Sequence, residues 1–242
     1  MTIPSSFPEI LDIHIPVRWE DLDDKQLVSV LKVLAVVPEQ RAASLVMLAM
    51  AGITVDRKVG ELYVCRYGST YFRLSVEDVA GWLHFVNFLG QIPDTPVRLK
   101  RIGKAKAVDN RLHGVPMETW LTLENYYQAY LRTKDFRAVD AMAPILYPGQ
   151  TGKVQPYQRI GILLWMAAVK QLFARLFPEL YAPANGGQDG EDIDMTQVVN
   201  AQIRALTGGD ITKERQVLET DCWRALTELN EKAREYRELK KR

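Results

Sequence analysis

Apolar positions along this chain follow two rhythms. From residue 21, "DLDDKQLVSVLKVLAVVP" places Leu27, Val30, Leu31 and Leu34 on one helical face behind an acidic first turn, with Pro38 as its stop. "PEQRAASLVMLAMAG" predicts a second helix running from Pro38 to Gly52, its expected C′ residue. The rhythm then changes. "ELYVCRYGSTYFRL" carries two β-rich runs around Gly68-Ser69, a hairpin signature. Helical spacing returns in "SVEDVAGWLHFVNFL", where Ser75 and Asp78 have capping-box spacing and Val79, Trp82, Leu83, Val86 and Leu89 share one face. "ILDIHIPVRW" alternates and contains a proline, which predicts a short strand or extended arm, and "PVRLKRI" predicts one more strand.

Beyond residue 110 only the helical rhythm remains. "PMETWLTLENYYQAYLRT" is one helix, "DFRAVDAMAPILYP" a shorter one ended or kinked by Pro144, and "QPYQRIGILLWMAAVKQLFARLFPEL" the longest. The last of these is apolar nearly all round from Ile160 to Val169, which predicts the centre of the core. "APANGGQDGEDID" has the composition of a linker. A helix at "MTQVVNAQIRAL" and a long final helix follow, separated by Gly208-Gly209, with Asp210 as the expected cap of the final one. The expectation is an α+β, predominantly α-helical protein: an α+β unit over 1–110 with a β-hairpin, a helical bundle over 111–182, a linker over 183–194 and a C-terminal helical arm over 195–242.

Composition sharpens this in three places. Lys+Arg number 31 against 30 Asp+Glu, so the whole chain offers no field to draw in nucleic acid or an anionic membrane. Its two cysteines, Cys65 and Cys222, fit buried free thiols in a reducing compartment. The longest apolar run has ten residues, whereas a bilayer needs ~20, and the first residues lack the pattern of a secretory signal. A cytoplasmic location, without membrane contact, is expected.

Several chemistries lack their residues. "YPGQTGKV" has two residues between its glycines where a phosphate-wrapping loop needs four, and Val154 stands where Ser or Thr is required. His14, His84 and His113 have no metal-ligand spacing, and His84 is expected to be packed and hydrogen-bonded beside an apolar helix face. The acidic run Asp189, Glu191, Asp192 and Asp194 does not have the layout of a calcium loop. Neither a catalytic residue, a metal site nor a cofactor is expected. One patch has a sign: Arg98, Lys100, Arg101, Lys104, Lys106 and Arg111 stand against Asp109 alone. Arg98, Lys100, Arg101 and Lys104 are the candidates for an alternative reading, a nucleic-acid-binding protein of a mobile element. The near-neutral charge and the lack of an aromatic residue for base stacking argue for a solvated patch instead.

The final helix raises its own question. Cys222, Leu226, Leu229, Ala233 and Tyr236 repeat at intervals of four and three, a thin seam on an otherwise charged helix. Such a helix is marginal alone and must be completed by its own domain, a second copy or another protein. Trp223, Leu226, Leu229 and Tyr236 are the candidate partner-binding residues.

"LENYYQAYLRT", "MAPILYP", "QRIGILLWMAAVKQLFARLFPELY" and "NAQIRALTGGDITKERQVLETDCWRALTELNEKAREY" resemble stretches of a family of phage and prophage proteins from virion-morphogenesis gene blocks. The resemblance covers roughly residues 118–240 and leaves 1–110 outside it. It implies a role similar to tail assembly chaperones, which hold the long helical tape-measure protein before the tail tube closes round it. The expectation is then a non-enzymatic tail-assembly or virion-associated protein, found in the host cytoplasm or the particle. It would act through helical protein–protein contacts with tail or other virion proteins, or with a second copy of itself. These motifs carry no catalytic signature.

Overall fold

The computed structural model describes residues 11–37, 39–182 and 195–240. The fold is α+β and predominantly helical, as the two rhythms predict. The chain divides into two compact units, Met1–Pro93 with Gln155–Gly161 and Asp94–Val154 with Ile162–Arg242. The expected linker at 183–194, and Pro38 between the first two helices, lie outside the described residues.

In the first unit, α1 (Asp24–Val36) starts at a capping box: the Asp23 carboxylate accepts from the Lys25 and Gln26 backbone N–H groups, and Gln26 Oε1 accepts from Asp23 N–H. The acidic residues before it form a separate 3-10 turn, Trp19–Asp21. Leu27, Val30 and Leu31 are buried, as their spacing requires. α2 (Glu39–Met50) contributes Val46, Met47 and Met50 to the same core, and Gly52 ends it with φ 68°.

Three antiparallel strands follow, β1 (Ile53–Val59), β2 (Leu62–Tyr67) and β3 (Thr70–Leu74), in the order β1-β2-β3. The hairpin around Gly68-Ser69 is the predicted one, with Tyr67 paired to Thr70. β1 is not among the elements expected from the sequence. Ile53, Val55 and Val59 do alternate with Thr54, Asp56 and Lys58, but Arg57 interrupts the pattern and only Ile53 of the seven residues is buried, so the strand has no continuous apolar face. Both tight turns open on a glycine, Gly60 at φ 62° and Gly68 at φ 57°, the left-handed conformation that closes a two-residue hairpin loop.

The capping box of Ser75 and Asp78 starts α3 (Val76–Trp82) as expected, but that helix ends seven residues early and Leu83–Gly90 is 3-10. Trp82, Phe85 and Phe88 recur every three residues, as do Leu83, Val86 and Leu89; a short apolar pattern of that kind suits three residues per turn as well as 3.6. Trp19 closes this core edge-on to Phe88 at 5.4 Å and donates its indole N–H to Gln91 O at 2.9 Å. Residues 11–17 form no strand; Leu11, Ile13 and Ile15 alternate with the exposed Asp12 and His14 in an irregular segment.

The second unit takes in residues 94–110, which the sequence places with the first. Three side-chain or backbone ties hold that stretch to the helices. Tyr147 Oη donates to Leu99 O at 3.0 Å, Trp165 Nε1 to Asn110 O at 2.7 Å, and Val108 N–H to Leu146 O at 2.9 Å. "PVRLKRI" supplies only a two-residue strand, β4 (Arg101–Ile102), paired with β5 (Ala105–Lys106). α4 (Met117–Thr133) and α5 (Phe136–Leu146) follow, with Pro144 inside the last turn of α5, and α6 (Pro156–Leu176) belongs to this unit from Ile162 on.

Ile162, Trp165, Met166, Val169 and Phe173 of α6 are buried, and Leu163 and Leu164 are half-buried. The helix therefore has a graded outer face within its apolar run. Phe173 is the hub of the core: its ring lies 4.8 Å from Trp120 on α4 and 5.7 Å from Phe177. α7 (Pro178–Tyr181), α8 (Met195–Thr207), α9 (Glu214–Glu219) and α10 (Cys222–Lys240) complete the unit.

Candidate binding surfaces

The expected single helix from Asp210 is in fact two. Asp210 caps a 3-10 turn, Ile211–Lys213, which runs into α9; α10 begins afresh after Asp221. The Asp221 carboxylate accepts from the backbone N–H groups of Trp223 at 3.0 Å and Arg224 at 3.3 Å. That is the work of an N-cap, and "TDCWRAL" carries its signal, an aspartate just before a helical apolar run. Its second oxygen accepts from Gly114 N–H at 2.6 Å. Around it, Met117 N–H donates to Thr220 O and Cys222 N–H to Val115 O, both at 2.8 Å. The start of α10 is thereby sewn to the loop before α4.

This geometry corrects the arm expected over 195–242. Leu226 and Leu229, two of the candidate partner-binding residues, are buried with Cys222 and Ala225 against their own unit. The seam spacing identifies the apolar face of the helix, and the helix's own domain covers it. Trp223 is half-buried: its ring stacks on His113 at 4.2 Å and stands edge-on to Phe173 and Phe177, and its indole N–H donates to Arg111 O at 2.7 Å. Asn230 Oδ1 accepts from the backbone N–H groups of Glu179 and Leu180, and Arg237 pairs with Glu179, so α7 is fastened to α10 farther along.

Leu229 is the last buried residue of α10. Tyr236 is 59% exposed and Leu239 68%, an apolar pair three residues apart. Tyr236 remains a candidate anchor, with Lys240 Nζ 4.7 Å above its ring. Leu239 joins it, although the sequence reading did not single it out.

Of the basic candidates, Arg98 is half-buried with its guanidinium 5.7 Å over the Trp165 ring, so it supports the core and does not belong to an open patch. Lys100, Arg101 and Lys104 are exposed, as are Lys106 and Arg111.

The other side chains with chemical potential are structural in their settings. His84 is exposed, not packed; its Nδ1 lies 2.8 Å from Gly81 O and its ring 4.0 Å from Phe85. Burial pushes the Cys222 thiol up to about 12, so it carries no thiolate near neutral pH. Glu124 on α4 pairs with Lys170 on α6 and accepts from Gln128 Nε2 at 2.9 Å, which ties those helices together. Burial also raises the Tyr127 hydroxyl beside them. Among the described residues, no three His, Cys, Asp or Glu side chains come together as a metal site would require. Nor is any helix there long and apolar enough to cross a membrane. In the first unit an open groove of about 720 Å³ runs between Leu11–Ile15 and Phe72–Leu74, floored by Trp82 and Phe85.

No family model, curated protein or solved structure matches this chain.

Proposed function

We propose that this chain is a non-enzymatic virion-assembly protein of a phage or prophage, similar in role to a tail assembly chaperone, that works through helix-to-helix contact. The resemblance over residues 118–240 supports the setting. The observation that carries the contact is the end of α10, where Tyr236 and Leu239 lie exposed beyond the part of the seam that their own unit consumes. Two large apolar side chains at that spacing fit the helix-in-groove mode of recognition. A long helical partner of the tape-measure kind, rich in apolar stripes before assembly, has the chemistry to meet them.

Co-expression with the tape-measure protein of the same gene block tests this. Tyr236→Ser together with Leu239→Ser is expected to cut co-purification at least tenfold while leaving the melting temperature within about 2 °C, since exposed substitutions change stability little. Undiminished capture by that double variant would refute the proposed surface. Light scattering on the isolated chain identifies the competing outcome, in which the same pair joins two copies of this chain.

A further inference from the structure

We infer that the β4–β5 hairpin is a docking surface for the phosphate backbone of nucleic acid, reading charge and not sequence. It rests on observations separate from those behind the end of α10.

The hairpin sorts its side chains cleanly. Leu99, Ile102, Ala105 and Ala107 are buried, and Lys100, Arg101, Lys104 and Lys106 are exposed, with Arg111 following. Register puts Arg101 directly opposite Lys106 on the outer face, while Ile102 faces Ala105 on the inner one. Like charges directly opposite one another destabilise a strand pair. Here they are held in place: Ala107 N–H donates to Lys100 O at 3.1 Å, and Arg101 Nη1 donates to Lys104 O at 3.3 Å across the Gly103 turn. Arg101, Lys104, Lys106 and Arg111 form no ion pair with any described residue. The one acid within the stretch is occupied, since Asp109 Oδ1 accepts from the Arg111 N–H at 2.9 Å and the His113 N–H at 3.2 Å.

A partner for this face must bring repeated negative charge. A protein interface has an apolar centre inside a polar rim. The hairpin exposes no apolar side chain among its cations. Phosphate contacts need only donors and positive charge and carry no sequence information. The absence of an aromatic residue, which removes base stacking, leaves backbone contact intact. A near-neutral net charge limits attraction at long range, but within a Debye length of about 10 Å the local cations dominate.

The experiment is a titration of a fluorescein-labelled 20-base-pair duplex with the full chain from about 50 to 200 mM salt. Four phosphate contacts predict a slope of log K against log salt of about −3.6. Lys104→Glu and Lys106→Glu should each weaken binding at low salt at least tenfold and reduce the slope by about one. Lys25→Glu, an exposed site on α1 with the same change in net charge, should leave both unchanged. Lys106→Glu also sets opposite charges across the hairpin facing Arg101, so its melting temperature should match or exceed that of the parent, which separates lost binding from lost folding. A chain that ignores the duplex at 50 mM salt, or a Lys104→Glu variant that binds like Lys25→Glu, would overturn the inference. Tighter binding to poly-glutamate than to the duplex would overturn it as well, by assigning the face to an acidic protein.

Discussion

A chain cut after Gly209 is expected to lose the cooperative folding of its second unit. The missing piece would carry Cys222, Ala225, Leu226 and Leu229 out of the core. It would also leave the N–H groups of Met117 and Gly114 and the carbonyl of Val115 without their partners. Leu226→Ala alone should cost about 2–5 kcal/mol, a large share of the ~5–15 kcal/mol that holds a typical domain. Near-ultraviolet circular dichroism and urea titration of the truncated chain measure the effect. A sharp transition with the parent's midpoint would show that α9 and α10 are an appendage after all.

Phe173→Ala is expected to be the most damaging single change. Its ring touches Trp120, Phe177 and Trp223 at centroid distances of 4.8, 5.7 and 5.4 Å, so one deletion strips a contact from α4, from the residue that leads into α7 and from α10 together. The cost for such an aromatic truncation is about 3–5 kcal/mol. Leu164→Ala, on the half-buried side of the same helix, should cost less than the ~2 kcal/mol at the low end for buried leucines. Denaturant midpoints for the pair test whether α6 has an inner and an outer face. Equal losses would contradict the graded burial.

Leu27, Val30 and Leu31 were legible because a buried stripe on a solvated helix has no other explanation. The cap at Ser75 was legible because its two partners lie three residues apart in the chain. β1 was not, since Arg57 interrupts the short alternation of Ile53, Val55 and Val59, and an edge strand with one buried residue has no continuous apolar face. For α10, spacing showed which face is apolar and could not show what covers it: Leu226 and Leu229 look the same whether the cover is a partner or the chain's own α4 and α7. The basic candidates illustrate the same limit. Arg98 and Lys100 are two residues apart in one charge run, yet Arg98 lies over Trp165 and Lys100 is in solvent. A run of charge records composition, and only the fold decides which members of it turn inward.

The two cysteines end up one to a unit, Cys65 on β2 and Cys222 at the start of α10, both buried and both unpaired. Burial raises each thiol above its ordinary range. An alkylating reagent attacks the thiolate of an accessible sulfur, so neither site can react until its surroundings open. Labelling kinetics followed by mass spectrometry therefore amount to two independent clocks in one molecule. The Cys65 clock times the opening of the sheet and the Cys222 clock the release of the final helix. The order in which they run down under mild denaturant ranks the two halves by local stability, without a probe being added to either.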